Sequence, residues 1–179
     1  YGVQVFLSFL IGIGGSVLLS AARGEGDEEK ANAFFTASVL LMGAAMALTW
    51  GLFALFSRQI LFFFGATDET LPLVMEYVKW LIRCWPLFVF SIFISSFIRN
   101  DGAPALDMAA VIAGGCVNIF GDWFLVFPMG MGMEGAALAT VLGTAVQCVV
   151  MGSHFFSKRC RLRLVRPRRL GRAVRRILT

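Results

Sequence analysis

Three stretches of this chain, 2–22, 31–57 and 135–157, contain no Asp, Glu, Lys or Arg. Each is long enough to cross ~30 Å of hydrocarbon as a helix. Composition agrees: 58% of the residues are hydrophobic, where a soluble domain would sit nearer roughly 45–50%. The chain therefore reads as an all-α, polytopic membrane helix bundle. Five spans are expected, at about 2–22, 33–56, 72–98, 105–127 and 135–157.

One acid breaks this pattern from within. Uncharged residues fill 108–121 and 123–133, so Asp122 interrupts a span rather than flanking it. An ionisable group inside a membrane helix is costly and usually faces a cavity or an ion path. Asn118 lies four residues earlier, on the same helical face. Measured from the turn after Pro128, Asp122 is ~9 Å down one helix and Thr140 ~7.5 Å down the next. Their oxygens are thus expected to meet at one depth. Thr140, Thr144 and Gln147 recur at helical spacing and give the fifth span a polar face toward the same cavity. A hydrogen bond that merely packs two helices accounts for the same residues, and both readings stand at this point.

The remaining spans read as scaffold. Ser8, Gly12, Ser16 and Ser20 form a small-residue stripe for close helix packing. Gly43, Ala44, Ala45 and Ala47 are expected to do the same in the second span, and Gln4 to sit at the interface. The polar turn 23–30 offers Asp27 as a cap, with Glu28 and Glu29 in the first helical turn. Residues 58–70 read as a turn with an interfacial apolar patch at 60–64. Glu76, Lys79 and Arg83 are expected to pair with one another. Pro86 should kink the third span, with Ser91 and Ser95 helping the freed backbone. Gly102 and Pro104 end one helix and open the next. His154 reads as a solvated interfacial residue.

Charge sets the orientation. Of 16 basic residues, ten lie between Lys158 and Arg176, a stretch without acids, whereas the rest of the chain has six basic and eleven acidic residues. A basic tract can bind nucleic acid. Directly after a span it reads instead as a cytoplasmic anchor, so no nucleic-acid partner is expected and the lipid bilayer is. Residues 1–157 form the membrane lobe and 158–179 a basic cytoplasmic linker, with Leu170, Val174, Ile177 and Leu178 on the apolar face of an amphipathic surface helix. The turns 23–30 and 99–104 then lie inside, and Tyr1 with the turns 57–71 and 128–134 outside.

Several motifs are coincidental. Gly24-Glu25-Gly26-Asp27 has the form of an intramembrane aspartyl protease signature, but Glu28, Glu29 and Lys30 place it in water. Gly130-x-Gly132-x-x-Gly135 has dinucleotide-fingerprint spacing, yet follows a membrane span rather than a strand. Cys84, Cys116, Cys148 and Cys160 form no CxxC pair, so their spacing implies neither a disulfide nor zinc. No cofactor is expected beyond a coupling ion.

Four stretches, GIGGSVLLSAARGEGDEEKA, FFGATDETLPLVMEYVKW, FIRNDGAP and NIFGDWFLVFPMGMGMEGAALAT, occur in an order that resembles the N-terminal lobe of multidrug and toxic compound extrusion (MATE) transporters. The resemblance spans the whole chain and implies helices two to six of the first of two six-helix lobes, the second lobe lying outside this chain. It implies export of organic, often cationic, compounds across the inner (plasma) membrane in exchange for Na+ or H+. In archaeal and DinF-like bacterial members an Asn and an Asp four apart on the fifth helix and a Thr on the sixth are proposed to bind the cation. An Asp on the first helix completes that group. Asn118, Asp122 and Thr140 match the first three, and Thr144 and Gln147 would line the same cavity. The first-helix aspartate has no counterpart here. A lipid-linked precursor flippase of the same superfamily is the nearest alternative, though no span carries a central arginine. A membrane enzyme is disfavoured by the lack of paired intramembrane acids or a HExxH or GxSxG motif, and a purely structural protein by Asp122.

The topology is checked by cysteine labelling of Cys160 and of the variants Asn100→Cys, Asp68→Cys and Met131→Cys. Positions 100 and 160 should react only from the cytoplasmic side, and 68 and 131 only from outside. Reaction of 160 from outside would reverse the orientation.

Overall fold

A computed structural model describes residues 2–165 and residue 177. Helices α1 (Gly2–Gly24), α2 (Glu28–Phe63), α3 (Leu71–Arg83), α4 (Trp85–Asn100), α5 (Pro104–Val126) and α6 (Gly132–Gly152) follow one another, and a 3-10 turn, Ser153–Phe156, closes the last. Among the described residues four helices are long and apolar enough to cross a membrane, and α3 with α4, bent by 59°, are together long and apolar enough for a fifth. The helices form a bundle in which α1 packs on α2 and α4, and α5 forms its most extensive contact with α6.

The turns are built as their residues dictate. Asp27 caps α2 by accepting from the Lys30 amide at 2.8 Å. Gly102 adopts φ +86° after α4, and Pro104 opens α5, so the reversal needs no strained side chain. The bend falls at Cys84, just before Pro86. Proline has no N–H to give the Ile82 carbonyl one helical turn back. The expectation that Ser91 or Ser95 relieves this backbone is not met at that carbonyl, since Ser91 donates to Phe88 O. Trp50 Nε1, from α2, donates to Ile82 O at 2.8 Å instead.

Small residues set the helix spacing where no hydrophobic drive exists in lipid. A Cβ on Gly15 would lie 2.0 Å from Ser38 Oγ and 3.0 Å from the Phe97 ring. One on Gly12 would lie 3.3 Å from Phe93 O. Phe97 is fully buried there and meets Phe35 edge-on at 5.0 Å between ring centroids. The stripe of α1 therefore holds α2 and α4.

Several expectations give way. The buried face of α2 is its first third, Ala31 to Met42, whereas Gly43, Ala44 and Ala47 are exposed and, of the expected small-residue face, Ala45 packs against the core. Helix α2 also runs through the anticipated turn to Phe63, after a break at Phe56. Arg58 lies over the Phe62 ring, 5.6 Å from its centroid, one helical turn away. Gln4 is buried rather than interfacial and accepts from Thr49 of α2. Glu76, Lys79 and Arg83 do not pair among the described residues, and Arg83 instead lies over Trp80. The proposed surface helix falls outside the described residues except for Ile177, which is buried with the core beside Gly14.

After α6 the chain runs as an extended strap over 160–165. Its alternate amides, at Arg161, Arg163 and Val165, donate to Asp101 Oδ2 (3.0 Å), Asn32 Oδ1 (2.8 Å) and Thr36 Oγ1 (3.0 Å). Two extended residues rise ~6.6 Å and four helical residues ~6 Å. Asn32 and Thr36, one turn apart on α2, thus match the strap's repeat.

Gly15→Ala should lower the melting temperature in detergent, with a cost of about 1–3 kcal/mol for overpacking. Gly43→Ala, whose Cβ meets nothing within 4 Å, should leave it unchanged or raise it. Thermal unfolding of the two variants side by side checks this, and equal melting points would refute the close-packed role of Gly15.

Candidate functional site

Helices α5 and α6 approach through glycines. A Cβ on Gly114 would lie 2.7 Å from Gly143 O, and one on Gly143 2.6 Å from Gly114 O. Farther along, a Cβ on Gly121 would touch Ala139, and one on Gly135 would touch Leu125. These contacts fix an antiparallel register that carries Asn118 to Thr140. Asn118 Nδ2 donates to Thr140 Oγ1 at 3.4 Å, while Thr140 Oγ1 donates to Ala136 O at 3.0 Å. Thr144 Oγ1 donates to Thr140 O. Asn118, Thr140, Thr144 and Gln147 line one groove of about 240 Å³ with Val111, Gly114, Gly115 and Gly143.

Asn118 is the residue bonded to Thr140, and Asp122 follows one turn, ~6 Å, along α5, next to the Gly121–Ala139 contact. Asp122 is not among the groove's lining residues. Its Oδ1 is buried and has no hydrogen-bond partner. Asn118 Oδ1 likewise accepts from no described group. The site therefore offers a carboxylate oxygen, an amide oxygen and a hydroxyl along one helix seam, with the carboxylate unsatisfied.

A second polar assembly escaped the sequence reading. Asp101, fully buried at the side chain, accepts from Arg23 Nη1 at 2.6 Å and pairs with His154 Nε2 at 2.7 Å. His154 is 2% exposed rather than solvated. Arg23 also faces Glu28 at 3.4 Å, and Arg161 reaches the same Glu28. Near this end Asp107, buried in the first turn of α5, lies 3.6 Å from Arg99. The clue in the sequence was positional: Arg23, Asp101 and His154 all flank spans on one side of the predicted topology. At the opposite end Trp80 Nε1 donates to Glu134 at 3.1 Å. A larger groove of about 590 Å³ is almost wholly apolar and lies between α2, α4 and the strap's Leu162 and Leu164.

Known proteins resemble this chain in sequence and fold. The chain is 29% identical over 161 residues to the multidrug export protein MepA of Staphylococcus saprophyticus, covering 88% of this chain and 35% of that protein. It is 30% identical over 156 residues to MepA of Staphylococcus aureus strain MRSA252, covering 87% and 34%. It thus spans about a third of the length of these relatives. Among solved structures, an inward-facing multidrug resistance MATE family transporter of the MOP superfamily superposes with a TM-score of 0.86 at 23% identity, over 97% of this chain and 41% of that one. A MATE protein in the bent conformation gives 0.79 at 24% identity, over 91% and 37%. Both share the fold of the bundle. The family model MatE matches residues 2–124, more than half of the chain, which belongs to the MATE family of membrane transporters.

Proposed function

We propose that this chain forms helices two to six of the N-terminal lobe of a cation-coupled exporter of organic, chiefly cationic, compounds. It would sit in the inner (plasma) membrane with its basic tail in the cytoplasm, beside a second lobe. The family places it among transporters rather than enzymes, and the MepA relatives are multidrug export proteins. The observation that carries the coupling is the buried, unpartnered Oδ1 of Asp122 within a span.

A group in that position changes charge when it exchanges a proton or a cation. Occupancy then biases the lobe between two helix arrangements, because only one of them stabilises the occupied carboxylate. For Na+, a hard ion that prefers oxygen ligands, Asp122 supplies the charge. Asn118 Oδ1 and Thr140 Oγ1 supply neutral oxygens. For H+, Asp122 acts alone and Asn118 and Thr140 keep their mutual hydrogen bond. Thr144 and Gln147 line the groove along α6 in both cases. Export fits the groove better than pyrophosphate handling by a flippase, since no arginine lines it.

In the full transporter, Asp122→Asn should reduce coupled export to background while membrane insertion persists, because the amide cannot change charge. Asn118→Ala and Thr140→Ala should weaken Na+ dependence by about 1.5–3 kcal/mol each, the range for a polar group facing an ion. If the ion is H+ alone, Thr140→Ala should be nearly silent, and added Na+ should not change the pH profile of export. Dye efflux from energised vesicles with imposed Na+ or pH gradients checks all three variants. Wild-type efflux from Asp122→Asn would eliminate the coupling role.

A further inference from the structure

The assembly around Asp101 has a feature that ion pairing alone does not require. A carboxylate oxygen of Asp101, a ring nitrogen of His154 and Sγ of Cys160 lie within 4.8 Å of one another. The three residues come from separate places: the turn after α4, the 3-10 turn after α6, and the start of the strap. Asp101 and His154 are buried, and Cys160 is partly exposed.

We propose that Asp101, His154 and Cys160 form a binding site for a divalent transition-metal ion of the Zn2+ class, which clasps the strap to the end of the bundle. Oxygen, nitrogen and sulfur donors together suit a borderline ion and disfavour Mg2+ or Ca2+. The partly exposed side at Cys160 admits water as a fourth ligand. Arg23 holds Oδ1 of Asp101 at 2.6 Å, and the Arg161 amide holds Oδ2 at 3.0 Å. Both contacts orient the carboxylate as outer partners do in metal sites. The His154 ring and the Cys160 thiol both face the Asp101 carboxylate. Binding would release the thiol proton to water and leave His154 neutral, with its remaining proton on the nitrogen away from the metal. Arg23 and Arg161 share Glu28, so one positive charge opposes the ion. The thiolate formed on binding, beside Asp101, therefore makes the ligand set net negative toward the ion.

The test is Co2+ titration of the purified full chain in detergent, followed by displacement with Zn2+. Saturable binding of one ion with thiolate charge-transfer and tetrahedral ligand-field bands is expected. Cys160→Ser should weaken it at least about 100-fold, beyond the effect of losing an outer partner, whereas Cys116→Ser should not. In unmodified protein Zn2+ should slow alkylation of Cys160 and leave that of Cys116 unchanged, and Mg2+ should do neither. His154→Gln should remove the ligand-field bands; if that variant does not fold, the serine variant and the alkylation rates decide. The absence of saturable Co2+ binding, binding that survives Cys160→Ser, or alkylation of Cys160 indifferent to Zn2+ would each overturn the site and leave a hydrogen-bonded cluster only. None of these outcomes bears on the role of Asp122 in export.

Discussion

Helices in a bilayer gain nothing by hiding apolar side chains from a solvent that is itself apolar, so close backbone approach has to supply the association. That constraint governs this bundle. Gly12 and Gly15 bring α1 against α4 and α2, and Gly114 and Gly143 bring α5 against α6. The functional geometry is a by-product of the second contact. With the two backbones in touch at Gly114 and Gly143, Asn118 has to face Thr140, and Asp122 falls one turn beyond. A side chain at Gly143 would collide with Asn118 itself, 2.8 Å from its Cβ. Packing and site are therefore one set of contacts, and neither can be altered alone.

Polar groups are distributed unevenly along the bundle. At the basic end Arg23, Asp101, His154, Glu28 and Arg161 form one connected cluster, and nearby Asp107 keeps one buried oxygen without a hydrogen-bond partner. Removing Arg23 takes a partner from the fully buried Asp101 carboxylate, a loss of about 3–5 kcal/mol. In the interior of α5, Asp122 has a buried oxygen with no partner.

Much of this was legible from residue type and spacing, and the failures share a cause. The spans, the Asp27 cap, the Gly102–Pro104 reversal and the Pro86 bend depend on local chemistry, which sequence states directly. Asn118 and Thr140 were identified through periodicity and depth. Their pairing with each other, rather than of Thr140 with Asp122, depends on a one-turn offset set by Gly114 and Gly143. Small residues also occur at Gly43, Ala44 and Ala47, where no helix approaches, so composition alone does not say which stripe is used. His154, Gln4 and Trp50 were misread or overlooked because each acts on a partner at least 32 residues away. No local pattern encodes such a partner.

The strap has one consequence for how this segment can evolve. Its hydrogen bonds to Asp101, Asn32 and Thr36 all come from main-chain amides, which every residue except proline possesses. Side chains at 163 and 165 are therefore not needed for these bonds, whereas the acceptors on α2 and after α4 are, and Arg161 adds a side-chain pair with Glu28. Divergence among relatives should be asymmetric, with a variable strap lying on an invariant track.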